Sequence, residues 1–146
     1  MMNLLNCKCG EKWAGIAPLV LRVVVGVAFA LHGWQKIGFG IEGVGQGFAS
    51  MGIPLPVISG FIVTYLEFLG GIALILGLFT HWASKLLLID MLVATLFVHL
   101  KNGFFVGAGG VELTLLLAAA CFSLMITGPG KWALSFRKSA PLPMVQ

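Results

Sequence analysis

Four runs of this chain carry almost no charge, and each is close to the length needed to cross a lipid bilayer. They are Ala14 to Trp34, Val57 to Phe79, Trp82 to Leu100 and Val111 to Thr127. A helix needs about 20 mainly apolar residues to span the hydrocarbon. At 146 residues, 59% hydrophobic and 10% charged, the chain has more apolar surface than a soluble domain of its size can bury. Lipid leaves no water to satisfy backbone N–H and C=O groups, so a spanning segment is a helix or part of a closed barrel. These runs lack the period-two alternation of barrel strands, so helices are expected. The sequence predicts an all-α membrane protein: one domain, an antiparallel four-transmembrane-helix bundle. Its helices would cover about 14–35, 57–79, 82–101 and 111–127, with a flexible tail at 137–146.

Lys and Arg near the ends of spans report orientation. An even number of helices places both termini on one side, with Lys8, Lys12, Lys85, Lys131, Arg137 and Lys138; Lys36 and Lys101 fall on the other. That six-to-two split predicts both termini in the cytoplasm. The net charge of +4 therefore describes topology rather than an acidic partner, and no nucleic acid is expected. Ala28-Phe29-Ala30 has the form of a signal-peptidase site. Arg22 interrupts the apolar region such a signal requires, so the first segment is read as a retained helix. Cys7, Cys9 and Cys121 make no disulfide framework. Cys7-Lys8-Cys9-Gly10 reads as a reduced cytosolic tail, or as half of a metal site if another chain donated ligands. Cys121 reads as packing, and no metal site is expected within the chain.

The connections differ in kind. Residues 37–56 are rich in glycine and contain Pro54-Leu55-Pro56, which argues against a regular span. Their apolar residues predict a segment folded onto the outer face, with at most one short interfacial helix. Thr80-His81 is short enough to force a helical hairpin, and Asn102 to Gly110 is a glycine-rich external loop.

A charge at the bilayer centre costs roughly 2.5–3.5 kcal/mol on insertion scales, so each is expected to find a partner or line a cavity. Arg22, Glu67 and Asp90 are deep; His32, Lys36, His99, Lys101 and Glu112 lie near the outer ends. Arg22 follows Ala14 by eight residues and Asp90 follows Trp82 by eight, which puts them at similar depth. At helical spacing, Arg22 shares a stripe with Gly26, Phe29, Gly33 and Lys36, and Glu67 shares one with Gly60, Gly70, Gly71 and Leu74. Small residues beside a charge let helices approach closely, so these charges face the interior. The expectation is an Arg22–Asp90 pair, with Glu67 sharing the arginine or protonated. Glu67 and Glu112 are then candidate proton carriers, and Arg22, His32, Lys36, Asp90, His99 and Lys101 candidate ligand-binding residues. Structural readings stand beside these. Buried ion pairs hold helices in register, and Glu112 at a helix start is favoured by the dipole. His99 points away from Asp90 and Lys101 on a regular helix, which argues against a bis-His haem and admits His99 to an outer site only if the helix end is distorted.

In order along the chain stand Arg22 with Gly26, then His32-Gly33-x-x-Lys36, Gly52-x-Pro54 and Glu67-x-x-Gly70-Gly71-x-x-Leu74-x-Leu76-Gly77-Leu78. His99 with Gly103 and Phe104, Gly110-x-Glu112 and Gly128-Pro129-Gly130 complete the series. Together, over about residues 14–136, these motifs resemble the DoxX family of small bacterial and archaeal membrane proteins. The resemblance implies a four-helix bundle in the bacterial cytoplasmic (inner) membrane. It marks Arg22, His32, Lys36, Glu67, His99 and Glu112 as the matching polar positions. It also implies a redox-associated role, as a subunit of a quinone or thiol oxidoreductase. Quinone is then the cofactor to consider, with electrons coming from a partner; a protein partner or a homo-oligomer is expected. The competing expectations are a non-catalytic scaffold or assembly factor and a small-solute or proton transporter.

Overall fold

The computed structural model describes Trp13 and residues 15–134. Cys7, Cys9, the basic residues Lys8, Lys12, Arg137 and Lys138, and the tail at 137–146 lie outside the described residues. Among those described, the chain forms four α-helices and no strand: α1 (Ile16–Ser50), α2 (Pro56–Leu76), α3 (Thr80–Ala94) and α4 (Glu112–Thr127). A π-helical turn, Thr95–His99, and a 3-10 turn, Leu100–Asn102, extend α3. With that extension, three of the helices are long and apolar enough to cross a membrane; α4 is apolar but shorter.

Outward-facing side chains carry the apolar character. Val24, Leu31, Phe61, Leu69, Leu96, Leu116 and Ile126 are all exposed, a surface that water would penalise and lipid accepts. The interior is small and mixed. Val25, Phe29, Leu74, Leu87, Met91, Cys121 and Leu124 form its apolar cluster. Arg22, Glu67, Asp90, Thr64, Ser84, Thr95 and Thr114 are buried with them.

Helix α1 departs from the sequence reading, which ended it near residue 35. It runs on to Gly40, whose backbone (φ 72°, ψ 154°) no other residue adopts readily, and resumes to Ser50. Of the glycines that argue for a loop, Gly45 packs against α2, as Gly26 and Gly33 do earlier in α1. A Cβ on Gly26 would stand 2.7 Å from the Gly71 carbonyl oxygen, and one on Gly45 would stand 2.9 Å from Val57. A Cβ on Gly33 would strike the Phe68 backbone. Backbone-to-backbone contact of this kind is what small residues supply between membrane helices. The expected single short helix within 37–56 is therefore the portion of α1 beyond the Gly40 kink.

Proline at its first position starts α2, and Gly77 in the left-handed region ends it. The Leu78 N–H donates to Ala73 O at 2.8 Å and the Gly77 N–H to Leu74 O at 3.0 Å, the Schellman pattern. The segment after α4 returns across the structure. Lys131 N–H donates to Gly15 O at 2.8 Å, at the start of α1, and Leu134 N–H to Leu76 O at 3.1 Å, at the end of α2. His81, near the start of α3, donates from Nδ1 to Met125 O at 3.0 Å, near the end of α4.

Candidate functional site: a lysine and two carboxylates

Three helices bring three charged groups together at mid-structure. From α1, Lys36 Nζ donates to Glu67 Oε2 of α2 at 2.6 Å. The Glu67 side chain is 6% exposed and that of Lys36 is 25% exposed, so the pair reaches from the interior to the surface. From α3, the Asp90 carboxyl lies beside that of Glu67 and within the field of Lys36. Asp90 is buried, and its Oδ2 atom has no hydrogen-bond partner among the described residues. Cys121 of α4 is fully buried. The arrangement places two carboxyl groups beside one ammonium in a low dielectric, a setting in which a carboxyl group can hold a proton.

Arg22 is elsewhere, and the expected Arg22–Asp90 pair is not formed. Its Nη1 donates to Leu74 O at 3.0 Å and Ile75 O at 2.7 Å, and its Nη2 to Lys131 O at 3.2 Å and Trp132 O at 2.9 Å. The reason is level. Leu74 and Ile75 belong to the last turn of α2, where carbonyls lack intrahelical donors. Asp90 lies ten residues into α3, about 15 Å along it at 1.5 Å per residue. The guanidinium therefore caps a helix C-terminus, where a cation is also favoured by the dipole. Its five donors in a fixed fork suit four carbonyls from two segments.

A family model described as DoxX matches residues 17–100. The chain belongs to the DoxX family. The matched stretch carries Arg22, Lys36, Glu67 and Asp90 and stops short of Glu112 and Cys121. Among curated relatives, an uncharacterized protein of Haemophilus influenzae is 38% identical over 128 residues, covering 85% of this chain and 92% of that protein. A Bacillus subtilis protein provisionally named oxidoreductase CatD is 34% identical over 113 residues, 77% of this chain and 80% of its own length. The Escherichia coli inner membrane protein YphA is 30% identical over 124 residues, 82% of this chain and 88% of that protein. No solved structure matches. The chain is a DoxX-family membrane protein with several apolar helices.

The remaining polar residues of this DoxX chain do not join the cluster. His32 is on the exposed side of α1, in a shallow depression with Ala28, Leu31 and Gln35. Lys101 is exposed. The distorted helix end that His99 requires is present as the π turn, but the imidazole serves a loop: Nδ1 donates to Gly109 O at 2.7 Å. Asn102 donates to the same carbonyl at 3.2 Å. His32 and His99 thus share no site. Glu112, at the first turn of α4, accepts the Val106 N–H at 3.0 Å and so ties down the same loop. Replacing Glu112 with alanine removes that charge-assisted bond, worth about 1.5–3 kcal/mol. Amide exchange at Val106 is expected to accelerate by roughly tenfold or more, while amides inside α2 keep their rates; unchanged Val106 exchange would sever Glu112 from the loop.

The sequence reading pairs Asp90 with Arg22 and puts Lys36 at an outer end, because the first apolar run stops at Trp34. The signal available was its helical stripe with Arg22 and Gly33, which holds as far as Gly40.

Proposed function

We propose that this DoxX protein is a redox-associated subunit of the bacterial cytoplasmic membrane, in which the Lys36–Glu67–Asp90 cluster binds a quinone head group and exchanges protons with it. The observation that carries the reading is the 2.6 Å Lys36–Glu67 pair with an underbonded, buried Asp90 carboxyl beside it. In this reading the helices form an antiparallel bundle with both termini cytoplasmic. The charge split of the sequence and the bonds joining α1's start, α2's end and the segment after α4 support that arrangement. Relatives named as inner membrane proteins and as an oxidoreductase support the location and the chemistry.

The residues fit such a group. Quinone carbonyls accept hydrogen bonds, and Lys36 presents an ammonium that is partly exposed toward the surface. A protonated Glu67 or Asp90 is a second donor and the source of a proton. A bound quinone supplies electron transfer coupled to proton uptake, with electrons from a partner protein. Around it, Lys36 orients a carbonyl, Glu67 holds the ammonium in place, and Asp90 stores the proton. His32, Lys101, His99 and Glu112 keep supporting roles in this reading, the last two through the loop they secure.

A scaffold or assembly role is the second reading, favoured by Arg22, Glu112 and His99, whose bonds to backbone hold the fold together. Purification in mild detergent, with mass spectrometry of the organic extract, separates the two. The expected result is a quinone near one per chain, with retention falling about tenfold, some 1.4 kcal/mol of binding, in Lys36→Ala. An extract containing only phospholipid, from protein that still assembles with its partner, would overturn the redox reading in favour of the scaffold.

A further inference from the structure

Helix α1 exposes polar side chains at a depth where the outward face of α2 is apolar. Lys36 bonds to Glu67, near the middle of the 21-residue α2. A helix of that length is roughly 30 Å long, which matches the hydrocarbon of a bilayer. Gln35, beside Lys36 in the chain, is therefore near mid-bilayer, and His32 is about one turn before it. Both are exposed. On α2 the exposed residues over the same depth include Phe61, Ile62 and Leu69. An amide that faces lipid has nothing to bond to and is costly, so such groups in membrane helices ordinarily meet another helix.

The surface around Gln35 has the spacing of a seam between two helices. Leu21, Val24, Ala28, Leu31, Gln35 and Gly38 follow one another at alternating steps of three and four residues. That is the 3.5-residue repeat of helices wrapped with a left-handed twist. The stripe lies away from the face that packs on α2 through Gly26 and Gly33. Val24 and Leu31 are 63% and 62% exposed, Gln35 and Gly38 are exposed, and Leu21 and Ala28 are half-buried. A Cβ on Gly38 would meet nothing within 4 Å. In such a seam each side chain enters a hole made by four residues of the facing helix. The shallow depression on α1 is lined by Ala28, Leu31, His32 and Gln35. These are the four residues that receive the partner's Leu31 when two copies of the helix lie parallel and in register.

We infer that this stripe of α1 is a homodimer interface, at which a second copy of the chain pairs in parallel about a two-fold axis along the membrane normal. Identical chains insert in one orientation, and the axis sets each residue opposite its own copy at the same depth. Gln35 suits that arrangement, because an amide is donor and acceptor at once and two facing amides satisfy each other. The stripe holds no formal charge, so like-charge repulsion does not oppose the pairing. Trp34 and Phe39, both exposed, flank it five residues apart, the offset at which flanking positions of a parallel pair meet. A single polar layer in an otherwise apolar seam fixes register and partner number, and Gln35 is that layer.

Disulfide trapping in the bilayer tests the interface, since facing residues of such a seam come within reach of a disulfide. The background is full-length protein carrying Cys7→Ser and Cys9→Ser, with the buried Cys121 left in place. There Leu31→Cys is expected to oxidise to a covalent dimer at least tenfold faster than Leu69→Cys of α2 or Leu116→Cys of α4, which are comparably exposed. Val24→Cys is expected to behave as Leu31→Cys does, and takes its place if that variant does not fold. Ala28→Phe, which fills the hole, is expected to slow trapping through Leu31→Cys at least tenfold. Gln35→Leu is expected to slow it as well, and Gln35→Asn to retain it. Equal rates at the three positions, faster trapping through α2 or α4, or a rate untouched by Ala28→Phe overturns the interface. A Leu31→Cys product joined to a different protein overturns the second copy as the occupant. The trapping rate does not depend on bound quinone, so an extract without quinone leaves the dimer standing.

Discussion

Arg22→Leu is expected to eliminate folded protein, and removing Asp90 as well is not expected to bring it back. The single change strips a donor from each of four carbonyls, Leu74, Ile75, Lys131 and Trp132, of which Leu74 keeps the Gly77 N–H. Each buried acceptor left unmade costs about 1–3 kcal/mol, and the total rivals the roughly 5–15 kcal/mol that holds a typical domain together. Arg22→Lys is expected to recover little, since an ammonium cannot span the two pairs of carbonyls as the planar fork does. The measurement is the monodisperse yield and thermal midpoint in detergent for Arg22→Leu, Asp90→Leu and the double variant. Rescue in the double variant would mean that Arg22 is held by Asp90 after all, and that the carbonyl contacts are incidental.

Glu67→Leu is the second large effect. It removes the carboxylate 2.6 Å from Lys36 and strands a mostly buried ammonium. Breaking a buried pair from one side costs about 3–5 kcal/mol, mainly as the penalty of the charge left behind. Asp90→Leu is expected to cost less than about 1 kcal/mol or to stabilise, because it removes an underbonded polar group and relieves Glu67 of a neighbouring carboxylate. Replacing Lys36 and Glu67 together with methionine and leucine should recover most of the loss, as apolar substitutes for whole ion pairs do. Unfolding titrations of the four proteins decide it. If Asp90→Leu costs as much as Glu67→Leu, the ammonium is shared equally and the cluster is a true triad in stability as well as in space.

The apolar runs and the buried stripes of α1 and α2 were legible because lipid demands long helices and close contact demands small residues. Val25, Gly26, Phe29 and Gly33 are all buried, as the stripe through Arg22 requires. What was not legible follows from what side-chain patterns omit. Arg22 binds backbone carbonyls, which every residue carries and no sequence marks. The π turn rotates His99 out of helical phase, so its loop contact is invisible to a 3.6-residue wheel. Glycines at 38, 40, 43, 45 and 47 read as a loop by their propensity in water. In α1 the same residues are compatible with helix, and two of them differ only in use: Gly40 bends the axis and Gly45 admits Val57. That continuation carries Lys36 level with Glu67.

The Arg22 contacts also bear on how the protein is made. The guanidinium enters the membrane with the first helix, but its Nη2 acceptors lie 109 and 110 residues further along the chain. At about 5–20 residues per second, the ribosome needs roughly 5 to 20 seconds to deliver them. During that interval a nascent first helix carries a cation without its final ligands, and the insertion machinery, water or lipid phosphate must shelter it. Biogenesis of this small protein thus has a late checkpoint built into its chemistry, at which arrival of the segment around Trp132 lets the earliest charge settle.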